Sequence, residues 1–163
     1  MPEPETLKRA AEDKREGKAA STQAGEFVRE EIEHVREGKH GVRSTKQAIA
    51  IGLSKARRAG VKLPPPKGNG KATAAIRRQA DADSAAAKKG AKPSPARSRA
   101  TLQALRREGH EAVSPSALAR QAHSAAGRRS AAERSASARR AARTKGPEAR
   151  EAAARKAART RAR

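Results

Sequence analysis

Large apolar residues are scarce and unevenly placed. Leu, Ile, Val and Phe number 16 in 163 residues, and 11 of the 16 fall between Leu7 and Leu63. A chain with so little to bury is hard pressed to offset the entropy of ordering every residue. Less than about 20 % of these residues, combined with high net charge, is the composition of disordered chains. Formal net charge is +22, Phe27 is the one aromatic residue, and alanine supplies most of the nominal apolar fraction. The expected fold class is mainly α: a short helical hairpin within a largely disordered, Ala/Arg-rich basic chain with transient helices. Three segments are expected: an exposed charged stretch at 1–23, the hairpin at 24–66, and a basic low-complexity tail at 67–163.

The hairpin follows from periodicity and punctuation. Phe27, Val28, Ile32 and Val35 recur at helical spacing before Gly38, which predicts a helix over 24–37. Ser44 and Gln47 have the spacing of a capping box, and a second helix is predicted from Thr45 to Ala59, closed by Gly60. Ala48, Ile49, Gly52, Leu53 and Ala56 share one face of it. Pro64-Pro65-Pro66 ends the unit as a stiff spacer. About ten side chains bury too little area to order about 40 residues unaided. Dimerisation, or folding on a partner, is therefore expected, and Ile51, on the face opposite Ile49 and Leu53, points the same way. Residues 4–16 read as a frayed exposed helix with Leu7 its only large apolar residue.

Beyond residue 66, helical stretches are expected at 72–88, 99–108, 115–143 and 148–161, starting at Ser114-Pro115 and Gly146-Pro147 for the last two. An imperfect repeat spaced by 16 joins Ala138–Thr144 to Ala154–Thr160. These stretches lack an apolar face, and such helices are marginal in water.

Charge points to the partner. Residues 1–66 carry 14 Lys/Arg and 10 Asp/Glu, and residues 67–163 carry 25 and 7. A balance of that kind seeks nucleic acid, anionic membrane or acidic protein. The Arg residues of 115–143 point in nearly every direction around a helix, with no apolar face for a bilayer, so no membrane partner is expected. A single aromatic gives no platform for stacking bases. Candidate phosphate contacts are Lys46, Lys55, Arg57 and Arg58 in the second helix, and Lys92, Arg97, Arg120, Arg128, Arg129, Arg139, Arg140, Arg143, Arg155, Lys156 and Arg159 in the tail. The first helix is acidic, with five glutamates, and the second basic. That pattern fits either a helix facing phosphate or a salt-bridged hairpin. Lys92-Pro93-Ser94-Pro95-Ala96-Arg97 fits a basic turn lying in the minor groove, or an ordinary proline-rich linker.

Catalytic chemistry is not expected. The chain lacks a glycine-rich phosphate loop, G-x-S-x-G and H-E-x-x-H, and it has no cysteine for a disulfide or a thiolate zinc site. Glu30 and His34, at i,i+4, could share a metal but read as a helix-surface contact, so neither a metal nor a cofactor is expected. No stretch resembles a signal peptide, and a cytoplasmic, nucleoid-associated location is expected.

The run Ser44-Thr-Lys-Gln-Ala-Ile-Ala-Ile-Gly-Leu-Ser-Lys-Ala-Arg-Arg-Ala-Gly-Val-Lys-Leu-Pro64 resembles the signature of a family of small basic bacterial proteins with a domain of unknown function. Its members are sometimes labelled plasmid-stabilisation or histone-like proteins. The resemblance covers about residues 24–66 and implies DNA binding. The leading expectation is non-specific binding of double-stranded DNA by phosphate neutralisation, as a histone-like accessory to chromosome or plasmid, with a possible homodimer through the hairpin. An RNA- or ribosome-associated protein, or a stress-related interaction protein, are the alternatives.

Overall fold

The computed structural model of the chain describes residues 2–64, 71–90 and 94–162. These form seven α-helices, and no strand occurs among the described residues. The helices are α1 (Pro4–Arg15), α2 (Ala20–Arg36), α3 (Thr45–Arg58), α4 (Lys71–Lys88), α5 (Pro95–Leu105), α6 (Pro115–Gly127) and α7 (Ala131–Arg161). A 3₁₀ turn at Glu111–Val113 lies between α5 and α6. Contacts divide the chain into one unit of residues 1–121 and another of residues 122–163.

The centre of the first unit is the α2–α3 pair. Gly38, at φ 75°, ends α2 in the left-handed region that glycine enters without strain. Ser44 Oγ accepts from the Gln47 amide at 3.2 Å, and Gln47 Oε1 accepts from the Arg43 amide at 2.8 Å. The box predicted at this position therefore closes on Arg43 rather than Ser44 itself. The helices cross closely at Gly52, where a Cβ would stand 2.6 Å from Val28 Cα.

Two apolar clusters hold the unit. Phe27, Ala10, Ala24 and Ala56 pack with Leu53, Val61 and Leu63. Val35, Val42, Ala48, Leu105 and Val113 pack with Ile32, Ile51 and Ala112. The segment leaving α5 is tied back to the α2–α3 loop. Gly41 donates to the Leu105 carbonyl at 3.0 Å and Val42 to that of Gly109 at 2.9 Å. A Cβ on Gly41 would collide with the Glu108 backbone.

The structure corrects the expectation of a largely disordered chain. Helix α4 is fixed to α3 by Asp83, and Leu105 and Val113, which lie beyond the hairpin, enter its core. Alanine's high propensity favours helix in the remainder. A capping box starts α7: Ser130 Oγ accepts from the Glu133 amide at 3.1 Å, and Glu133 Oε2 accepts from the Ser130 amide at 3.0 Å. This box divides the stretch expected as one helix over 115–143 into α6 and α7.

The described part of the stretch expected to be exposed at 1–23 is partly packed. Helix α1 packs on α2 through buried Thr6, Ala10 and Asp13, while Leu7 stays 43 % exposed. Ion pairs replace the missing apolar side chains, with Arg9 2.6 Å from Glu26 and Lys18 2.7 Å from Asp13. The hairpin does not stand alone either. Ile51, whose exposure had suggested a dimer, packs on the cluster that contains Leu105 and Val113.

Candidate functional site: a buried charge network and an exposed basic helix

The opposite charges of α2 and α3 meet inside the first unit. Lys55 Nζ lies 2.9 Å from both Glu30 Oε1 and Glu31 Oε2, and both glutamates are buried. Glu30 Oε2 also accepts from the Glu3 amide at 3.0 Å, which fastens the start of α1. Burial works against the charge of Lys55, but pairing with Glu31 and Glu30 outweighs it and raises its pKa. Burial likewise opposes the Glu30 charge, yet the Glu3 amide and Lys55 hold its carboxyl below the ordinary value. Of the two readings of the charge pattern, the salt-bridged one describes Lys55.

Arg58 is also engaged internally. Its Nε donates to buried Asp83 at 3.0 Å, and Ser54 Oγ and Gln79 Nε2 donate to the same carboxylate at 2.7 and 3.1 Å. Arg57 is half-buried, with its Nε enclosed. Lys46 and Arg58 are the exposed ones among the four candidates on α3, and of these two Arg58 is tied to Asp83. Lys92 lies outside the described residues. Ser94 and Pro95 start α5 rather than forming a free basic turn, and Arg97 is exposed on it.

The remaining candidates, Arg120, Arg128, Arg129, Arg139, Arg140, Arg143, Arg155, Lys156 and Arg159, are exposed. Residues 122–163 contain 13 Lys/Arg against three Glu, and no Leu, Ile, Val, Phe or Met. No residue of α7 is buried. At Gly146 (φ 71°, ψ 173°) the helix is broken into two arms, 131–145 and 147–161. The 16-residue repeat extends over every basic position of these arms. Arg134, Arg139, Arg140, Arg143 and Lys145 correspond to Arg150, Arg155, Lys156, Arg159 and Arg161. Equal spacing within each arm gives equal angular placement, and in both the cations surround the axis. Arg134, Lys145, Arg150 and Arg161 were absent from the sequence-based candidates, although the same spacing reveals them.

A helical unit carrying a buried charge network, together with a highly basic helical segment, defines a small mainly α protein. Residues 11–68, just over a third of the chain, match a family of unknown function (DUF6496). That match covers the C-terminal end of α1 and all of α2 and α3 and stops short of the helices beyond them. No curated protein and no solved structure matches the chain. No helix among the described residues is long and apolar enough to cross a membrane.

Proposed function

We propose that this chain binds duplex DNA without sequence preference, as a histone-like accessory to a chromosome or plasmid, chiefly through residues 122–163. The observation that carries this reading is α7: guanidinium groups all round its axis, no buried residue and no large apolar side chain. Such a helix has nothing to pack against a protein core or a bilayer, whereas phosphates can neutralise it from any side. Arg97, Arg120 and Lys46 add exposed charge, while Lys55 and Arg58 serve the fold. No set of side chains on α3 is left to read base edges, which favours backbone contact over sequence recognition.

The test is a salt titration of the full chain on two unrelated duplexes, repeated with ribosomal RNA as competitor. If about half of the net charge of residues 67–163, 25 Lys/Arg against 7 Asp/Glu, engages, the slope of log affinity against log salt is on the order of −8. Replacing Arg139, Arg140, Arg143, Arg155 and Arg159 with glutamine should flatten it by about 2–4 and weaken binding to both duplexes alike. A variant that keeps the full slope, a strong preference for one duplex, or RNA outcompeting DNA overturns the proposal.

A further inference from the structure

The neighbour of Glu30 is in a different situation. Glu31 is fully buried, and neither carboxylate oxygen accepts a well-aligned hydrogen bond. Lys55 compensates Oε2 by charge at 2.9 Å. Oε1 faces Nε2 of His40, also buried, at 3.4 Å. On the other side of that ring, Nδ1 lies 3.1 Å from the Gly41 carbonyl oxygen. A carbonyl only accepts, so Nδ1 carries a proton, and in the neutral ring Nε2 turns a lone pair toward Glu31. Two such atoms in a buried setting are bridged by a proton or by a metal cation. His34 brings a third donor, since one ligand atom from each of Glu31, His34 and His40 lies within 4.8 Å of the others. Glu3, with Oε1 2.8 Å from His34 Nε2, places a half-exposed carboxylate at the rim.

We propose that Glu31, His34 and His40 form a divalent-metal site suited to zinc. Two imidazoles and a carboxylate are a donor set zinc accepts, with the fourth tetrahedral position left to water or Glu3. Donors about 2.0–2.1 Å from a tetrahedral ion stand about 3.4 Å apart, which matches the separation of His40 Nε2 from Glu31 Oε1. The Nδ1 contact of His40 with a backbone carbonyl is the outer interaction that fixes the tautomer of a metal-binding histidine. Closure needs a rotation of His34, at the surface end of the cluster. Glu31 and His34 lie one turn apart on α2, and His40 lies in the loop leading to α3. The ion would therefore clamp that loop to the helix, and with it Gly41 and Val42, which hold the segment after α5.

The experiment uses the full chain, stripped of metal by chelator dialysis and titrated with zinc chloride by calorimetry. Binding of one zinc per chain, with a rise in melting temperature, is expected. Cobalt in its place should give the intense visible bands of tetrahedral coordination. His34→Ala and His40→Ala should each weaken zinc binding by more than about 100-fold, because losing an outer partner alone typically costs about 10–100-fold. His123→Ala, at an exposed histidine, should leave it unchanged. Circular dichroism checks folding, and His34→Ala, at the more exposed donor, serves if His40→Ala does not fold. No stoichiometric zinc binding by the full chain, or undiminished binding by folded His34→Ala, overturns the proposal.

Discussion

Arg58 Nε donates to Asp83 Oδ1 across 3.0 Å, and through that contact a residue expected to face phosphate holds α4 against α3. Asp83 is 1 % exposed, so its charge depends on Arg58 and the two hydrogen bonds from Ser54 and Gln79. Arg58→Ala should destabilise the first unit by about 1–3 kcal/mol, a range reduced from the full buried-pair value because the arginine is partly solvated. Lys46→Ala, on the surface of the same helix, should change stability by less than about 0.5 kcal/mol. Urea denaturation of both variants checks the contrast. Equal stability would mean that Asp83 does not rely on Arg58.

The crossing of α2 and α3 makes two helical glycines, Gly25 exposed and Gly52 buried, behave oppositely. A Cβ at Gly52 meets Val28 Cα at 2.6 Å, whereas one at Gly25 meets nothing within 4 Å. Gly52→Ala should push the helices apart and lower stability by about 1–3 kcal/mol. Gly25→Ala should raise it by about 0.5–1 kcal/mol through helix propensity. Thermal melts of the two variants provide the comparison.

Leu105 tests whether the core extends past the hairpin. It is 8 % exposed and lies in the cluster of Val35, Val42 and Val113. Leu105→Ala should lower stability by about 2–4 kcal/mol, and hydrogen exchange at Val35 and Ala48 should accelerate with it. Leu102→Ala, at a side chain 36 % exposed, should cost less than about 1 kcal/mol. Unchanged exchange on α2 and α3 in Leu105→Ala would place Leu105 outside their cooperative unit.

Alkaline pH should loosen the α1–α2 connection. Lys18 hydrogen-bonds Asp13 and pairs with Glu16, and these contacts raise its pKa above the ordinary 10.5. A cation with a raised folded-state pKa contributes stability that is complete below the unfolded value. That contribution is lost as pH rises beyond 10.5 and through the folded value. The stability of Lys18→Gln should therefore converge toward wild type above pH 10.5, with the gap widest near neutrality. A gap that stays constant with pH would show that the pairing carries no linkage.

What the sequence made legible was the part written in large apolar side chains. Phe27, Val35 and Ala48, with Gly38 and Gly60 as stops, located α2 and α3 to within a few residues. Helix α1 was legible as a helix over 4–16, but its packing on α2 was not, because it packs through Thr6, Ala10 and Asp13 and through ion pairs, none of which has an apolar period. Leu105 and Val113 sit singly in polar surroundings, so no pattern marked them as core. Composition suggested disorder after residue 66, but it does not register the Ser130/Glu133 capping box or the single buried carboxylate of Asp83. In the charge network, Glu30 was paired with His34 by i,i+4 spacing alone. The structure turns Glu30 to Lys55 and the Glu3 amide, and sets Glu31 between Lys55 and His40.

The break at Gly146 makes α7 a tandem rather than a rod. Each arm carries five cations at the same spacing, so on a polyanion the two are similar ligands joined by one residue. Once the first is bound, the second meets its phosphates at an effective concentration on the order of millimolar rather than that of free protein. Such a tether favours long duplexes over short ones out of proportion to charge count. It also lets one arm release and rebind while the other holds, so the chain could shift along DNA without dissociating.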